Sequence, residues 1–391
     1  MDTKLIAGIL LIVGSAIAGG MLALPVALSE LGFVYSSLLL VLCWFVMTSG
    51  ALLILEVNSW LPRNNNIISM SQATLGGAGQ AVAWVTYLFL LYTLIAAYVA
   101  GGGDFLWHLC TALHIPVSKH LACILFTVVL GTIVYAGIQS VDYMNRGLMI
   151  AKLGGYVLLV CLIVPHTSLH QLSGGNPYRL GGMTVAITSF GFAQIIPSLR
   201  AYFNDDKKKV RKAIWIGSLI PLVCYILWNI SIMGIIGNDQ LISMLKSGQS
   251  TAEFVERLNQ LLQNNIITTT ARVFTSICLA TGFLGVALGL SDFLADGFSL
   301  ERTRKNNTLI IITALSPPLA VALFYPGLFV KALGLAGIDC VILLILLPVL
   351  MVWSGRYRKK IASGYQVFGG KGLLVFLMLF SVVALSLSFL Q

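Results

Sequence analysis

The sequence predicts an all-α integral membrane protein with eleven transmembrane helices. Of its 391 residues, 58% are hydrophobic and only 10% are charged, and the mean hydropathy is +0.92. A soluble domain carries about a quarter charged residues. Apolar runs of about 20 residues, long enough to cross a bilayer, recur along the chain. We therefore expect one transmembrane domain over residues 1–391.

The predicted spans cover residues 5–28, 33–57, 81–106, 119–137, 147–165, 183–203, 213–237, 270–298, 308–325, 329–353 and 372–390. A lysine precedes the first run, as it does in a signal peptide. The run is too long for a signal peptide, however, and lacks a small-residue cleavage site. We expect this helix to remain in the mature protein.

The formal net charge of +10 follows the pattern of membrane topology rather than that of a nucleic-acid-binding surface. With the N-terminus inside, all Lys and Arg except six fall on the cytoplasmic side, most densely at 207–212. This asymmetry is the positive-inside rule. It predicts a cytoplasmic N-terminus and, after eleven spans, an outer C-terminus, with the lipid bilayer and not a nucleic acid as partner.

The cysteines predict neither a metal site nor a cofactor. All seven are isolated in the sequence and most lie within predicted spans, without a C-x-x-C pair. A buried cysteine behaves as a small apolar residue.

Two spans are interrupted by glycine, with proline six residues further on. Gly19 precedes Pro25 in span one, and Gly191 precedes Pro197 in span six. Glycine destabilises a helix because its backbone is flexible, and proline lacks the backbone N–H that donates the helical hydrogen bond. In hydrocarbon, the freed backbone groups are tolerated only beside protein or a water-filled cavity. Matching breaks predict discontinuous helices 1 and 6 around a transporter's substrate site; close helix packing is the alternative explanation for the glycines.

The spacing of these breaks predicts an inverted repeat. They lie five spans apart, and an odd number reverses the direction in which the second unit enters the membrane. The expected units are residues 5–165 and 183–353, with an added helix over 372–390.

Three segments resemble the hydroxy and aromatic amino acid permease family, closest to its tyrosine-specific and tryptophan-specific branch. They are residues 14–25, 285–297 and 346–353, and the likeness covers essentially the whole chain. The resemblance implies the five-plus-five fold of the bacterial leucine transporter, a bacterial inner membrane and proton-coupled amino-acid uptake. Ala18 stands where the family pattern has glycine, and its methyl group is expected to narrow the site or stiffen the break.

The breaks also carry the candidate groups for an amino-acid substrate. Backbone amides at Gly19 and Gly20 begin a half-helix and suit the carboxylate, with the Ser15 hydroxyl as a further contact. The ammonium needs acceptors, and the expected ones are carbonyl oxygens around Ser15, Ala16, Ser189 and Phe190.

Aromatic rings near the middle of the spans are candidates for contact with the substrate side chain. Those at or near the second break are Phe190 and Phe192, which flank Gly191; Tyr92 lies in span three and Phe283 in span eight. Gln194 is expected to hydrogen-bond a phenol or an indole. Each ring is alternatively a packing or lipid-facing residue.

Ionisable residues inside spans are costly and mark functional sites by default. Lys152 in span five and Asp292 in span eight lie at comparable predicted depths and are expected to meet. The family resemblance implies that Lys152 is the proton-coupling group; a static ion pair is the alternative. Asp339, in span ten, is predicted to be a proton carrier, an outer gate residue or a solvated residue.

The leading hypothesis is a monomeric importer of an aromatic amino acid, tyrosine first, by proton symport. The alternatives with the same fold carry tryptophan, serine, threonine or a branched-chain amino acid, or use sodium, although Lys152 would place a positive charge at the ion's position. A membrane enzyme would need a polar catalytic cluster, and a channel would need a filter segment. The sequence contains neither.

Overall fold

The computed structural model describes residues 3–62, 65–247, 251–298, 303–325 and 327–389, and within these ranges all regular structure is helical. The α-helices of the first half are α1 Thr3–Ala16, α2 Gly19–Ala27, α3 Gly32–Trp60, α4 Ile67–Leu75, α5 Gly77–Ala112, α6 Lys119–Tyr135, α7 Ile138–Ile163, α8 Met183–Ser189 and α9 Ile196–Tyr202. Those of the second half are α10 Lys207–Ile236, α11 Asn238–Ser247, α12 Thr251–Leu262, α13 Asn265–Gly297, α14 Arg304–Phe324, α15 Phe329–Cys340, α16 Leu347–Trp353 and α17 Gly370–Phe389.

Eight helical segments of the described chain are long and apolar enough to cross a membrane. Seven of them contain α3, α5, α7, α10, α13, α14 and α17, and the eighth runs continuously from Phe329 to Arg358 through α15 and α16. The pair α1 and α2, bent by 49° between its two parts, makes a ninth. The apolar helix α6 is shorter, and residues 183–202 are divided among short helices.

One predicted connection is wrong. Residues 138–146 were expected to join spans four and five, yet α7 already begins at Ile138. The connection is only Ala136 and Gly137, and Gly137 has a φ of +97°, a conformation that glycine adopts without strain. The long connection that follows α10 contains two shorter helices, α11 and α12.

The interrupted segments lie at the centre of the helical bundle. Helix α1 packs on α10, and α8 packs on α15. Around them, α15 also packs on α5, and α13 packs on both α5 and α7. The two interrupted segments meet where α2 contacts α8.

The first break is a short extended step. Helix α1 ends at Ala16 and α2 starts at Gly19, with Ala18 extended between them at φ −141° and ψ −152°. Any residue adopts this conformation, which explains why alanine is accommodated at position 18. Pro25 lies within α2.

The second break has a different geometry. Helix α8 ends at Ser189, a 3₁₀ turn covers Gly191–Ile195, and α9 follows with Pro197 in its first turn. Proline fits there because the first-turn N–H groups have no partner within the helix.

Buried arginines hold the predicted cytoplasmic end of α3. Arg356 binds Glu56 through two hydrogen bonds of 2.6 and 2.5 Å, and the Val367 amide donates to the same carboxylate at 2.7 Å. Arg200 donates to the backbone carbonyl of Asn58 and pairs with Asp205 at 2.5 Å. These contacts tie the end of α3 to α9 and to the segment that follows α16.

Candidate binding site at the helix breaks

A cavity of about 50 Å³ lies between the two breaks. A space of this size holds only a few water molecules. Its walls are formed by Ser15, Ala16, Ala18, Gly20, Leu90, Leu94, Tyr98, Thr188, Ser189, Gly191, Gln194, Val286, Leu333 and Cys340. The walls therefore come from the broken segments together with α5, α13 and α15.

Six of the residues predicted from the sequence line this cavity: Ser15, Ala16, Gly20, Ser189, Gly191 and Gln194. Both serine hydroxyls already donate hydrogen bonds within their own helices. Ser15 Oγ donates to Ile12 at 2.8 Å, and Ser189 Oγ donates to Val185 at 2.9 Å. None of the described residues that line the cavity carries a charged side chain.

Close contacts explain why glycine occupies the start of α2. A Cβ atom on Gly20 would lie 2.7 Å from Ser189 Oγ, and one on Gly19 would lie 2.6 Å from Cε1 of Tyr98. Gly19 therefore packs against the ring of Tyr98 and does not itself line the cavity. Tyr98 is a wall residue that was not among the candidates from the sequence.

Gln194 presents an unsatisfied acceptor. Its Oε1 is buried and has no hydrogen-bond partner among the described residues, although the side chain lines the cavity. A buried acceptor without a partner costs about 1–3 kcal/mol. A ligand that donates a hydrogen bond here would remove that cost.

The aromatic expectations need correction for Tyr92 and Phe283. Tyr92 is turned away from the cavity, and its hydroxyl donates to the Thr313 carbonyl of α14 at 2.9 Å. Phe283 is fully buried and stacks edge-on against Phe126, with ring centroids 5.6 Å apart. Both rings pack helices together and neither lines the site.

Phe190 and Phe192 at the second break are also fully buried and absent from the cavity wall. Phe190 packs edge-on against Tyr225 of α10 at 5.0 Å. In this conformation Tyr98 is the aromatic residue of the cavity wall.

Three of the four carbonyl groups expected to bind an ammonium, those of Ala16, Ser189 and Phe190, have protein partners. The Tyr225 hydroxyl lies 2.7 Å from the oxygens of both Ala16 and Ser189. The Phe190 carbonyl accepts the Phe192 amide at 2.9 Å. A ligand ammonium would share these oxygens through their second lone pairs.

Lys152 lies against the first break from the α7 side and is 2% exposed. Its Nζ donates to the Gly14 carbonyl at 3.1 Å and to Thr281 Oγ1 of α13 at 3.5 Å. Within the described part of the chain, no carboxylate pairs with it. A buried lysine held only by neutral oxygens is an unusual and costly arrangement.

The expected meeting of Lys152 and Asp292 is wrong. Lys152 reaches α13 at Thr281, and Asp292 lies eleven residues further along the same helix, about 16 Å away along the axis. Its neighbour Phe293 instead stacks on Tyr87, near the start of α5, at 5.1 Å. Depths counted from the span ends had suggested a common level because the helix lengths differ from the predicted spans.

Asp339 is half-buried in α15 and directly precedes Cys340, a residue of the cavity wall. Among the described residues, its carboxylate makes no hydrogen bond and no ion pair. It is an acidic group close to the cavity but outside its wall.

The whole chain resembles known permeases in sequence. The family model described as the tryptophan/tyrosine permease family matches residues 1–388. The tyrosine-specific transport system 2 of Haemophilus influenzae is 33% identical over 100% of this chain and 97% of its own length. A tryptophan-specific transport protein of the same organism is 28% identical over 97% of this chain and 94% of its own length.

A solved transporter shares the fold. It is a nucleobase-cation-symport-1 family transporter, in a closed conformation with bromovinylhydantoin bound, and it superposes with a TM-score of 0.63. The match covers 97% of this chain and 92% of that protein at 14% sequence identity. At 14% identity, this similarity shows a shared fold only.

Proposed function

Because this chain belongs to the tryptophan/tyrosine permease family, and is thus a multi-pass membrane transporter rather than an enzyme, we propose that it imports an aromatic amino acid by proton symport. Tyrosine is the proposed substrate, since a tyrosine-specific system is 33% identical over the whole chain. The observation that carries the proposal is the cavity between the breaks, which combines backbone groups with Tyr98 and Gln194.

In the proposed binding mode, the substrate carboxylate lies at the N-terminus of α2. The Gly19 and Gly20 amides begin this helix, and the positive end of its dipole favours an anion. The ammonium takes the free lone pairs of the break carbonyls. The side chain extends towards Tyr98 and Gln194, whose Oε1 accepts the phenol hydrogen of tyrosine.

Substrate entry requires the site to expand. A cavity of about 50 Å³ is far smaller than an aromatic amino acid, so the walls must separate before binding. We assign this opening to a movement of α5, α13 and α15 against the interrupted helices, as in alternating access.

The proposed topology keeps eleven spans, with α6 as span four and α8–α9 as the discontinuous span six. Spans one to five and six to ten form the inverted repeat, with α17 added. The N-terminus lies in the cytoplasm and the C-terminus outside, in a bacterial inner membrane, because basic residues concentrate on one side. The transporter acts as a monomer.

Lys152 is the proposed coupling group. Its Nζ touches Gly14 in the last turn of α1, so gain or loss of a proton there changes the charge beside the break. Because its partners among the described residues are neutral oxygens, the lysine can lose its proton without leaving a buried carboxylate unpaired. Asp339 is the proposed second proton site.

The test is uptake of labelled tyrosine into proteoliposomes with an inward proton gradient, an inward sodium gradient or neither. Unlabelled phenylalanine, tryptophan, serine and glutamine serve as competitors, and each condition is repeated with Lys152→Ala. We expect accumulation driven by protons, competition by aromatic amino acids only, and loss of accumulation in the lysine variant.

Other results would change specific parts of the proposal. Accumulation that follows sodium would overturn the role of Lys152. Competition by serine or glutamine would overturn the aromatic assignment while retaining the transporter fold. An absence of tyrosine uptake, together with uptake of tryptophan, would correct the substrate within the aromatic class.

A further inference from the structure

Tyr225 of α10 occupies an unusual position behind both helix breaks. Its side chain is fully buried, and its hydroxyl lies 2.7 Å from the Ala16 oxygen and 2.7 Å from the Ser189 oxygen. Ala16 is the last residue of α1, and Ser189 is the last residue of α8. A single side-chain atom therefore contacts the ends of both half-helices.

Carbonyls at helix ends lack partners within their own helix, and in a membrane interior each one needs a donor. A phenol has one hydrogen, so the two oxygens share it and each keeps spare acceptor capacity. The two oxygens must also remain within hydrogen-bonding distance of the same atom. Separating the half-helices would break at least one of these contacts.

Tyr225 acts through the backbone and not through the cavity. No residue of α10 belongs to the cavity wall, and the Tyr225 ring packs against Phe190, which is itself fully buried. Ala16 and Ser189, by contrast, both line the cavity. The hydroxyl thus sets the spacing of two wall segments from behind.

We propose that Tyr225 is a positioning residue that holds the two broken helices in register for amino-acid binding. The substrate then meets break amides and carbonyls already in place, so its binding energy is not spent on aligning them. The inference rests on the proposed function, since it assigns the cavity to the transported amino acid.

Tyr225→Phe tests this inference, and Tyr156→Phe is its matched control. Tyr156 is a buried tyrosine whose hydroxyl donates to the Cys224 carbonyl at 2.9 Å, also on α10. Each variant loses one buried hydroxyl bonded to backbone, but only the first loses a contact with the breaks. For the wild type and both variants, the KM and maximal rate of tyrosine uptake are measured in proteoliposomes.

We expect Tyr225→Phe to raise KM about tenfold, the order set by leaving buried acceptors without a donor, because the break carbonyls that meet the substrate lose their shared contact. The control should keep the wild-type KM, because its hydroxyl bonds to α10 and not to the breaks. Replacing Tyr225 by 4-aminophenylalanine, whose amine has two N–H donors, should restore KM to near the wild-type value. A KM for Tyr225→Phe within twofold of the control would overturn the proposal.

A second readout does not depend on transport. Hydrogen–deuterium exchange of the detergent-solubilised full chain is followed in segments 14–20 and 187–194. Both segments should exchange faster together in Tyr225→Phe and remain unchanged in the control; acceleration of one segment or neither would contradict the shared contact. If the wild type transports no aromatic amino acid, the proposed function fails, and this exchange measurement still decides whether Tyr225 joins the breaks.

Discussion

A Cβ atom on Gly20 would lie 2.7 Å from the Oγ of Ser189 and 3.1 Å from its Cα, so the interrupted helices touch where only glycine fits. Gly20 lies in the first turn of α2, and Ser189 is the last residue of α8. The contact brings the N-terminal amides of one half-helix beside the C-terminal carbonyls of the other. A zwitterionic ligand could thus meet both within one small cavity.

Gly20→Ala should therefore impair both folding stability and transport. The added methyl group must push α2 away from α8, and overpacking of this kind costs about 1–3 kcal/mol. We expect a lower melting temperature for the purified protein and a strongly reduced rate of substrate uptake. The double variant Gly20→Ala with Ser189→Gly should recover part of the stability, since it removes the hydroxyl that the methyl group meets.

Gly285→Ala is the control for this substitution. Gly285 also lies within a membrane helix, α13, but a Cβ atom there would meet nothing within 4 Å. Alanine loses less conformational entropy than glycine when a helix forms, so the stability of the variant should be unchanged or slightly higher. If both variants lose stability and transport to the same extent, the contact between Gly20 and Ser189 is not the reason why alanine is unfavourable at position 20.

Lys152→Met should separate substrate exchange from substrate accumulation. Methionine fills a similar space without the charge that, in the proposed mechanism, responds to the proton. We expect labelled substrate to exchange across proteoliposome membranes but to reach only equal concentrations on both sides under a proton gradient. Thr281→Val, which removes the 3.5 Å contact but leaves the bond to Gly14, should still accumulate substrate. Accumulation by Lys152→Met would refute the coupling role.

Arg356→Met should destabilise the predicted cytoplasmic end of the bundle. Glu56 is fully buried, and its carboxylate accepts two bonds from Arg356. Loss of the partner leaves a buried charge, which costs about 3–5 kcal/mol. Thermal denaturation should show a clear decrease in melting temperature, with partial recovery when Glu56→Gln is added.

The exposed pair of Arg146 and Asp142 provides the comparison. These side chains are 79% and 53% exposed, at 2.8 Å, and exposed pairs contribute little. Arg146→Met should leave the melting temperature unchanged. If Arg356→Met behaves in the same way, the buried pair does not stabilise the end of α3.

The positions of the breaks could be predicted from the sequence because glycine and proline act on the backbone where they stand. Six predicted site residues line the cavity for this reason: they belong to the breaks themselves. The number of spans was harder to judge, since α6 and the pieces of span six are short. Helix boundaries depend on turns such as Gly137, whose φ the sequence does not reveal.

The side chains that reach the site from other helices could not be predicted. Tyr92 and Tyr98 lie six residues apart on α5 and therefore on different faces, but α5 is apolar on all sides and offers no pattern to choose between them. Tyr225 stands in an equally uniform stretch of α10. The expected pairing of Lys152 with Asp292 failed because α7 begins at Ile138, nine residues before the predicted span, so Lys152 lies deeper than the count from the span end suggested.

Gln194→Leu should reduce the preference for tyrosine over phenylalanine. The buried Oε1 of Gln194 has no partner among the described residues and lies in a side chain of the cavity wall, so a substrate hydroxyl would supply its missing donor. One such hydrogen bond contributes about 1 kcal/mol, or about fivefold in affinity. Competition of labelled tyrosine by unlabelled phenylalanine measures the preference, which should fall by about that factor in the variant.

Tyr92→Phe is the control for this substitution, because the Tyr92 hydroxyl bonds to Thr313 away from the cavity. The ratio of tyrosine to phenylalanine affinity should stay at the wild-type value. If instead Tyr92→Phe lowers the ratio and Gln194→Leu does not, the substrate hydroxyl binds on the Tyr92 face of α5 and not beside Gln194.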